Sequence, residues 1–168
     1  MFRKSLLIMR TKFLTLITIA TLFFSCKEVE DPSPNPKIEG NYKHIFEGNL
    51  GWGSENFKLI SILQFKSDGT VNGEHYTTNI ESGEILGYRG YFSGLFSISK
   101  GKVTISYDES YIMGIADINY MAKEELILSQ NEGYSIEYYI SDDFSQLSSS
   151  KACQPNENCA IIVFVKEE

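Results

Sequence analysis

Residues 57 to 65, Phe-Lys-Leu-Ile-Ser-Ile-Leu-Gln-Phe, alternate in the two-residue rhythm of a β-strand, and that rhythm returns along most of the chain. Successive strand side chains point to opposite faces. Phe57, Leu59, Ser61, Leu63 and Phe65 therefore share one face, and Lys58, Ile60, Ile62, Gln64 and Lys66 the other. The pattern excludes an amphipathic helix here, and helical periodicity is scarce elsewhere. Ser67-Asp68-Gly69-Thr70 reads as a tight turn, because Asp-Gly tolerates positive φ. A partner strand follows from Val71 to Thr78, then another from Tyr88 to Ser99, with Gly90 and Gly94 marking bends or bulges. Lys100-Gly101 turns the chain into a strand from Lys102 to Asp108.

Residues 110 to 121 suit a strand better than a helix, since Gly114 and the β-branched residues disfavour helix. Leu126 to Gln130 and Tyr134 to Ile140 are expected to form a hairpin across Asn131-Glu132-Gly133, with Tyr134, Ile136, Tyr138 and Ile140 on one face. A long loop, Ser141 to Asn158, precedes the last strand, Cys159 to Lys166, which is apolar on both faces and so needs a cover on its outer side. The count reaches about nine strands joined mainly by short turns. The expected fold class is all-β: a single antiparallel up-and-down barrel of about eight or nine strands, since closure removes exposed edges. The alternative is a two-sheet β-sandwich.

The first 25 residues belong to a different regime. Arg3, Lys4, Arg10 and Lys12 form a positive region without an acidic residue, and Phe13 to Phe24 are twelve residues of apolar core. A membrane-spanning helix needs about 20 apolar residues; the shorter run suits a cleaved signal peptide. Met9, followed by Arg10-Thr11-Lys12, supplies a complete positive region too, so a start at Met1 or at Met9 is left open. The stretch Leu22-Phe23-Phe24-Ser25-Cys26 resembles the lipobox of bacterial lipoproteins, with a small residue before the cysteine and bulkier residues than usual at 23 and 24. This looser form resembles lipoproteins of the Bacteroidota, in which acidic residues just after the lipidated cysteine act as a surface-export signal. Lys27-Glu28-Val29-Glu30-Asp31 is similar to such a signal, with Val29 interrupting it. The resemblance implies fatty acylation of Cys26, a membrane partner reached through that lipid, and a cell-envelope, outer-membrane address. The bystander reading is an ordinary cleaved signal. Asp31-Pro32-Ser33-Pro34-Asn35-Pro36 then makes a stiff tether, so residues 26–36 lead to a domain at 37–168.

The domain also carries a resemblance. Ile38-Glu39-Gly40-Asn41-Tyr42, Leu63-Gln64-Phe65-Lys66-Ser67-Asp68-Gly69-Thr70, Gly94-Leu95-Phe96-Ser97-Ile98, Val103-Thr104-Ile105 and Glu125-Leu126-Ile127-Leu128 recur in similar order in lipocalin-like domains of such lipoproteins. Tyr42 stands where a Trp is usual. The likeness covers roughly residues 38 to 140 and implies a fold more than an activity.

Charge narrows the partners. The four basic residues of the signal leave with it, so the mature part keeps 11 basic against 22 acidic residues, a formal charge of −11. Nucleic acid is an unsuitable partner for such a surface. Cys153 and Cys159 remain; two thiols in an exported chain are expected to pair. That small ring would contribute roughly 2 to 3 kcal/mol in the chain-entropy model. No metal is expected, because only His44 and His75 are available and neither is near the cysteines.

No nucleophile elbow, zinc-binding His-Glu-x-x-His, phosphate loop or dinucleotide fingerprint occurs. Asp108-Glu109 and Asp142-Asp143 read as solvated turns, and Asp117-x-Asn119 lacks a calcium loop around it. His44 and His75 could meet across strands, but a polar surface position is the simpler expectation. No catalytic residue and no cofactor is assigned, and an enzyme is the least supported reading. Aromatic residues are the remaining signal: 10 Tyr, 11 Phe and one Trp. Filling a small barrel accounts for most of them. Trp52, set between Gly51 and Gly53 in an expected loop, is the exception.

Two functional expectations follow. In the first, a lipid-anchored barrel binds a small hydrophobic ligand through Trp52, Phe57, Leu63 and Phe65. In the second, the domain is a non-catalytic interaction or glycan-binding accessory module of an outer-membrane complex, touching an envelope protein through its doubly apolar last strand.

Overall fold

The computed structural model describes residues 36–48, 56–115, 118–130, 133–149 and 161–168. The signal and tether with Cys26, the loop with Trp52, Asp117, and the Cys153 and Cys159 ring lie outside the described residues. The strands are β1 (Gly40–Gly48), β2 (Phe57–Phe65), β3 (Thr70–Asn79), β4 (Ile85–Ser99), β5 (Lys102–Ile112), β6 (Ile127–Leu128), β7 (Ser135–Ile140), β8 (Gln146–Ser148) and β9 (Val163–Lys166). Eight of them close a ring in the order β1-β2-β3-β4-β5-β7-β8-β9, and β9 returns to β1. Every pairing is antiparallel. One sheet closed on itself is the up-and-down barrel expected for a lipocalin-like domain, and it excludes the two-sheet sandwich.

Local chemistry sets the corners. In the β2–β3 turn Gly69 takes φ 86°, while the Asp68 carboxylate accepts from the Thr70 N–H at 2.9 Å and its hydroxyl at 2.6 Å. These bonds hold the Asp68 carboxyl below the ordinary carboxylate range. Lys100 and Gly101 both adopt positive φ, 53° and 74°, the twist a two-residue hairpin needs.

Four expectations change. Residues 110 to 121 are not one strand: the chain leaves the ladder after Ile112 and returns at Met121, which exchanges backbone bonds of 2.8 and 3.0 Å with Tyr88. Gly87 admits this return, since a Cβ there would stand 2.7 Å from the Met121 carbonyl oxygen. Residues 126–130 and 134–140 do not form a hairpin with each other. Both lie along β5, β7 against Lys102–Ser106 and β6 against Tyr111–Ile112, because β5 is too long for β7 to cover. The segment 141–158, expected as a loop, contains β8, whose three residues carry one fully buried side chain, Leu147, too short a run to show a period. The last strand is also shorter than expected at its start.

The interior is divided along the barrel axis. At one end Ile38, Tyr42, Leu63, Phe65, Val71, Phe96, Val103, Ile105, Tyr138, Leu147 and Phe164 form a packed core. Phe65 meets Tyr42 and Phe96 edge-on at 5.5 and 5.0 Å, a favoured aromatic geometry. The 3-10 turn Pro36–Ile38 closes this end with Ile38, and the Lys166 ammonium donates to the Lys37 carbonyl at 2.7 Å. The Tyr42 hydroxyl donates to the Phe144 carbonyl at 2.7 Å, and burial with the Asp143 charge pushes that phenol up to about 12.

Candidate functional site

Register carries the inward face from the packed end towards the other. Opposite Tyr42 and Leu63 lies Gly73, then Phe92. A Cβ on Gly73 would stand 1.9 Å from the Phe92 ring, so the absent side chain is what lets the ring lie across β3. Phe92 also stacks on Tyr107 at 4.2 Å. Above these two rings the next inward row runs His44, Ser61, His75, Gly90 and Ile112 across five strands. The floor is therefore aromatic and the first row above it is polar on β1 to β3.

A cavity of about 370 Å³ opens over this floor, lined by Leu59, Ser61, His75, Arg89, Tyr107 and Ser110 among others. That is at the low end of ligand-pocket volumes, roughly 300–1,000 Å³. His75 Nδ1 lies 2.8 Å from Ser61 Oγ. Burial, and secondarily the Arg89 charge, hold the imidazole below its ordinary value, so it is neutral at pH 7. Burial lowers the Arg89 guanidinium as well, but an arginine stays charged at neutral pH. One Arg89 nitrogen donates to the Asn119 carbonyl at 2.6 Å, and the Thr77 hydroxyl donates to the same oxygen at 3.4 Å. Among the described residues Arg89 has no carboxylate partner. Burial, with a smaller contribution from Tyr134, pushes Tyr107 up to about 12, which keeps its hydroxyl a donor.

His44 occupies the same row, with Nδ1 2.8 Å from the Val163 carbonyl oxygen; that oxygen only accepts, so Nδ1 carries the proton. The two histidines thus share a row with Ser61 between them, and His75 is inside the barrel where a surface position was expected. Of the residues expected to line a ligand, Leu63 and Phe65 belong to the packed core at 1% exposure each, and Phe57 is buried at the start of β2. None of these three lines the cavity. Arg89 was hidden by a bulge: His75 faces Gly90 while Tyr76 faces Tyr88, so Arg89 is the extra residue and strict alternation misplaces it.

The carboxylate pairs separate. Asp142-Asp143 sits in a turn, where Asp143 accepts from Ser141 Oγ at 2.6 Å and from the Ser145 hydroxyl and N–H at 2.7 and 3.0 Å, pulling its carboxyl down to about 2. Asp108-Glu109 is instead part of β5, at the bulge opposite Ser93 and Gly94. Among the described residues no group of three His, Cys, Asp or Glu side chains could hold a metal.

No protein-family model, curated protein or solved structure matches the chain.

Proposed function

We propose that the protein is a lipid-anchored envelope protein whose barrel binds a small amphipathic molecule, acidic at one end, in the open half of its interior. The cavity over the Phe92–Tyr107 floor carries this reading. It combines apolar walls, Leu59 and Ile112, with a half-buried guanidinium that lacks a carboxylate among the described residues. A half-buried cation with spare donors favours a carboxylate or similar anion, bound bidentately. Neutral His75 and the Ser61, Tyr107 and Ser110 hydroxyls add hydrogen-bond partners without adding charge. The described chain begins at the closed end of the barrel, with Pro36–Ile38.

Decanoate is a suitable probe. Titrated calorimetrically into the full-length protein in detergent-free nanodiscs, it is expected to bind at one site per chain, with Arg89→Met weakening it tenfold or more. Absence of any saturable binding, together with no small molecule carried through native mass spectrometry, would sink the reading. Metabolic labelling with palmitate checks the anchor separately; Cys26→Ser is expected to abolish it.

An interaction module is a second reading, favoured by the exposure of Ile161, Ile162 and Val165 at 38, 42 and 50%. Crosslinking in intact cells that returns only monomer would count against it.

A further inference from the structure

The outer face of the barrel has a second concavity of about 430 Å³, spanning β1 to β5. Register aligns its residues in two rows. The first runs Asn41, Gln64, Asn72, Ser93, Glu109; the second includes Ile62, Glu74, Tyr91 and Tyr111. Tyr91 and Tyr111 lie nearly parallel, centroids 4.6 Å apart at 12°.

Two features separate this face from the ordinary polar exterior of a barrel. Around it several surface charges are paired: Lys43 with Glu167, Lys58 with Glu47, Lys102 with Glu137. In the first row the side chains of Asn41, Gln64, Asn72, Ser93 and Glu109 make no hydrogen bond to any other protein group, among the described residues. Three carboxamides, each with two donors and an acceptor, stand with a hydroxyl and a carboxylate acceptor along one line. The second feature is the flanking pair of tyrosines: Tyr91 is covered by the Tyr111 ring and the Lys123 ammonium, so the pair presents the unstacked side of Tyr111 and two phenolic edges, which suit a ligand of mixed character.

We infer that this groove is a binding site for a neutral oligosaccharide. A sugar ring offers an apolar C–H face to an aromatic side chain and a rim of hydroxyls that both donate and accept, which is what carboxamides satisfy on both sides. Glu109 would accept from hydroxyls, a charge-assisted bond. Two cations flank the second row: Lys123 is taken by Glu74 at 2.6 Å and lies over Tyr91 and Tyr88 at 4.9 Å each, and Lys43, in register with Ile62, is taken by Glu167 at 3.2 Å. An acidic glycan would meet Glu109 without a compensating charge, so the site selects against it. The row Asn41, Gln64, Asn72, Ser93 and Glu109 lines this groove and not the interior cavity, although Tyr91, Phe92 and Tyr111 line both.

The test is a panel of immobilised neutral and acidic oligosaccharides, with gluco-, manno-, galacto- and N-acetylglucosamine series, probed with the full-length protein in detergent. At least one neutral series is expected to be retained. Tyr91→Ala should weaken retention tenfold or more, and Asn72→Ala, an uncharged change on the strand surface that spares the fold, threefold or more. Arg89→Met should leave it within twofold. Retention of acidic glycans only, retention of none, or equal retention by Asn72→Ala would overturn the assignment. Loss with Arg89→Met would move the site to the barrel interior and overturn it equally.

Discussion

The two halves of the barrel interior are built from the same strands yet obey different rules. In the closed half, inward positions are Tyr42, Leu63, Phe65, Val71, Phe96, Val103 and Ile105, nearly all inaccessible. Two residues along on β1 to β3, the same face presents His44, Ser61 and His75. One half is a solid core whose work is stability. The other gives up apolar contacts for hydrogen-bonding groups and empty volume, which a domain needing only stability has no reason to keep. The boundary is physical: the Phe92 ring lying over Gly73.

The contrast is broken most severely from the closed side. Phe65→Ala removes a ring wedged between Tyr42 and Phe96 and is expected to cost about 3–5 kcal/mol, the range for large-to-small aromatic substitutions in cores. Ser61→Ala, on the same strand and face but above the boundary, is expected to cost about 1 kcal/mol, the net worth of one hydrogen bond. Urea unfolding of the two variants measures the difference; equal losses would dissolve the distinction between the halves.

The boundary itself can be moved. Gly73→Leu places side-chain atoms where the Phe92 ring now lies, and overpacking of this kind costs about 1–3 kcal/mol. The displaced ring is expected to turn into the cavity whose floor it forms. Decanoate binding is therefore expected to disappear while the variant still unfolds cooperatively. A smaller loss, about 1 kcal/mol or about 4 °C in melting temperature, is expected for Tyr42→Phe, which deletes the 2.7 Å bond to the Phe144 carbonyl and leaves the packing in place.

The same boundary explains what could be read from the sequence. Alternation exposed the packed half, because one inward apolar face is a strong period-2 signal: Leu63, Phe65, Val71, Val103 and Ile105 all follow it. The closed barrel was legible for the same reason, together with Asp68-Gly69 and Lys100-Gly101 at the corners. The site was not. Its residues are polar and look like surface residues when read alone, as His75 did. The one that matters most electrostatically, Arg89, sits at a bulge where the period fails. β8 was missed because ring closure, a long-range property, makes a strand of three residues that have no period of their own. The outer row was in the sequence as isolated Asn, Gln and Glu; only register aligns them.

The finest test of the difference between the halves is protonation, because it changes charge without changing shape. His75 has its pKa lowered, mainly by burial and next by Arg89. In the unfolded chain an ordinary histidine titrates near 6.5, so above that pH both states carry a neutral ring and stability does not depend on it. As pH falls below the unfolded value, the unfolded state binds a proton that the folded state resists, and stability declines with it. Asp68 and Asp143 are depressed acids, whose contribution is present above the unfolded carboxylate value and lost only at lower pH, as it falls toward about 2 for Asp143. The histidine window opens at the higher pH, near the unfolded histidine value, and the carboxylate window only below the unfolded carboxylate value. Melting temperature between pH 7 and pH 5 should therefore decline in the wild type, and His75→Gln should flatten that slope while leaving the decline below pH 4 unchanged. An unaltered slope in the variant would mean that the ring is wet, and that the open half is surface folded inward rather than a desolvated site.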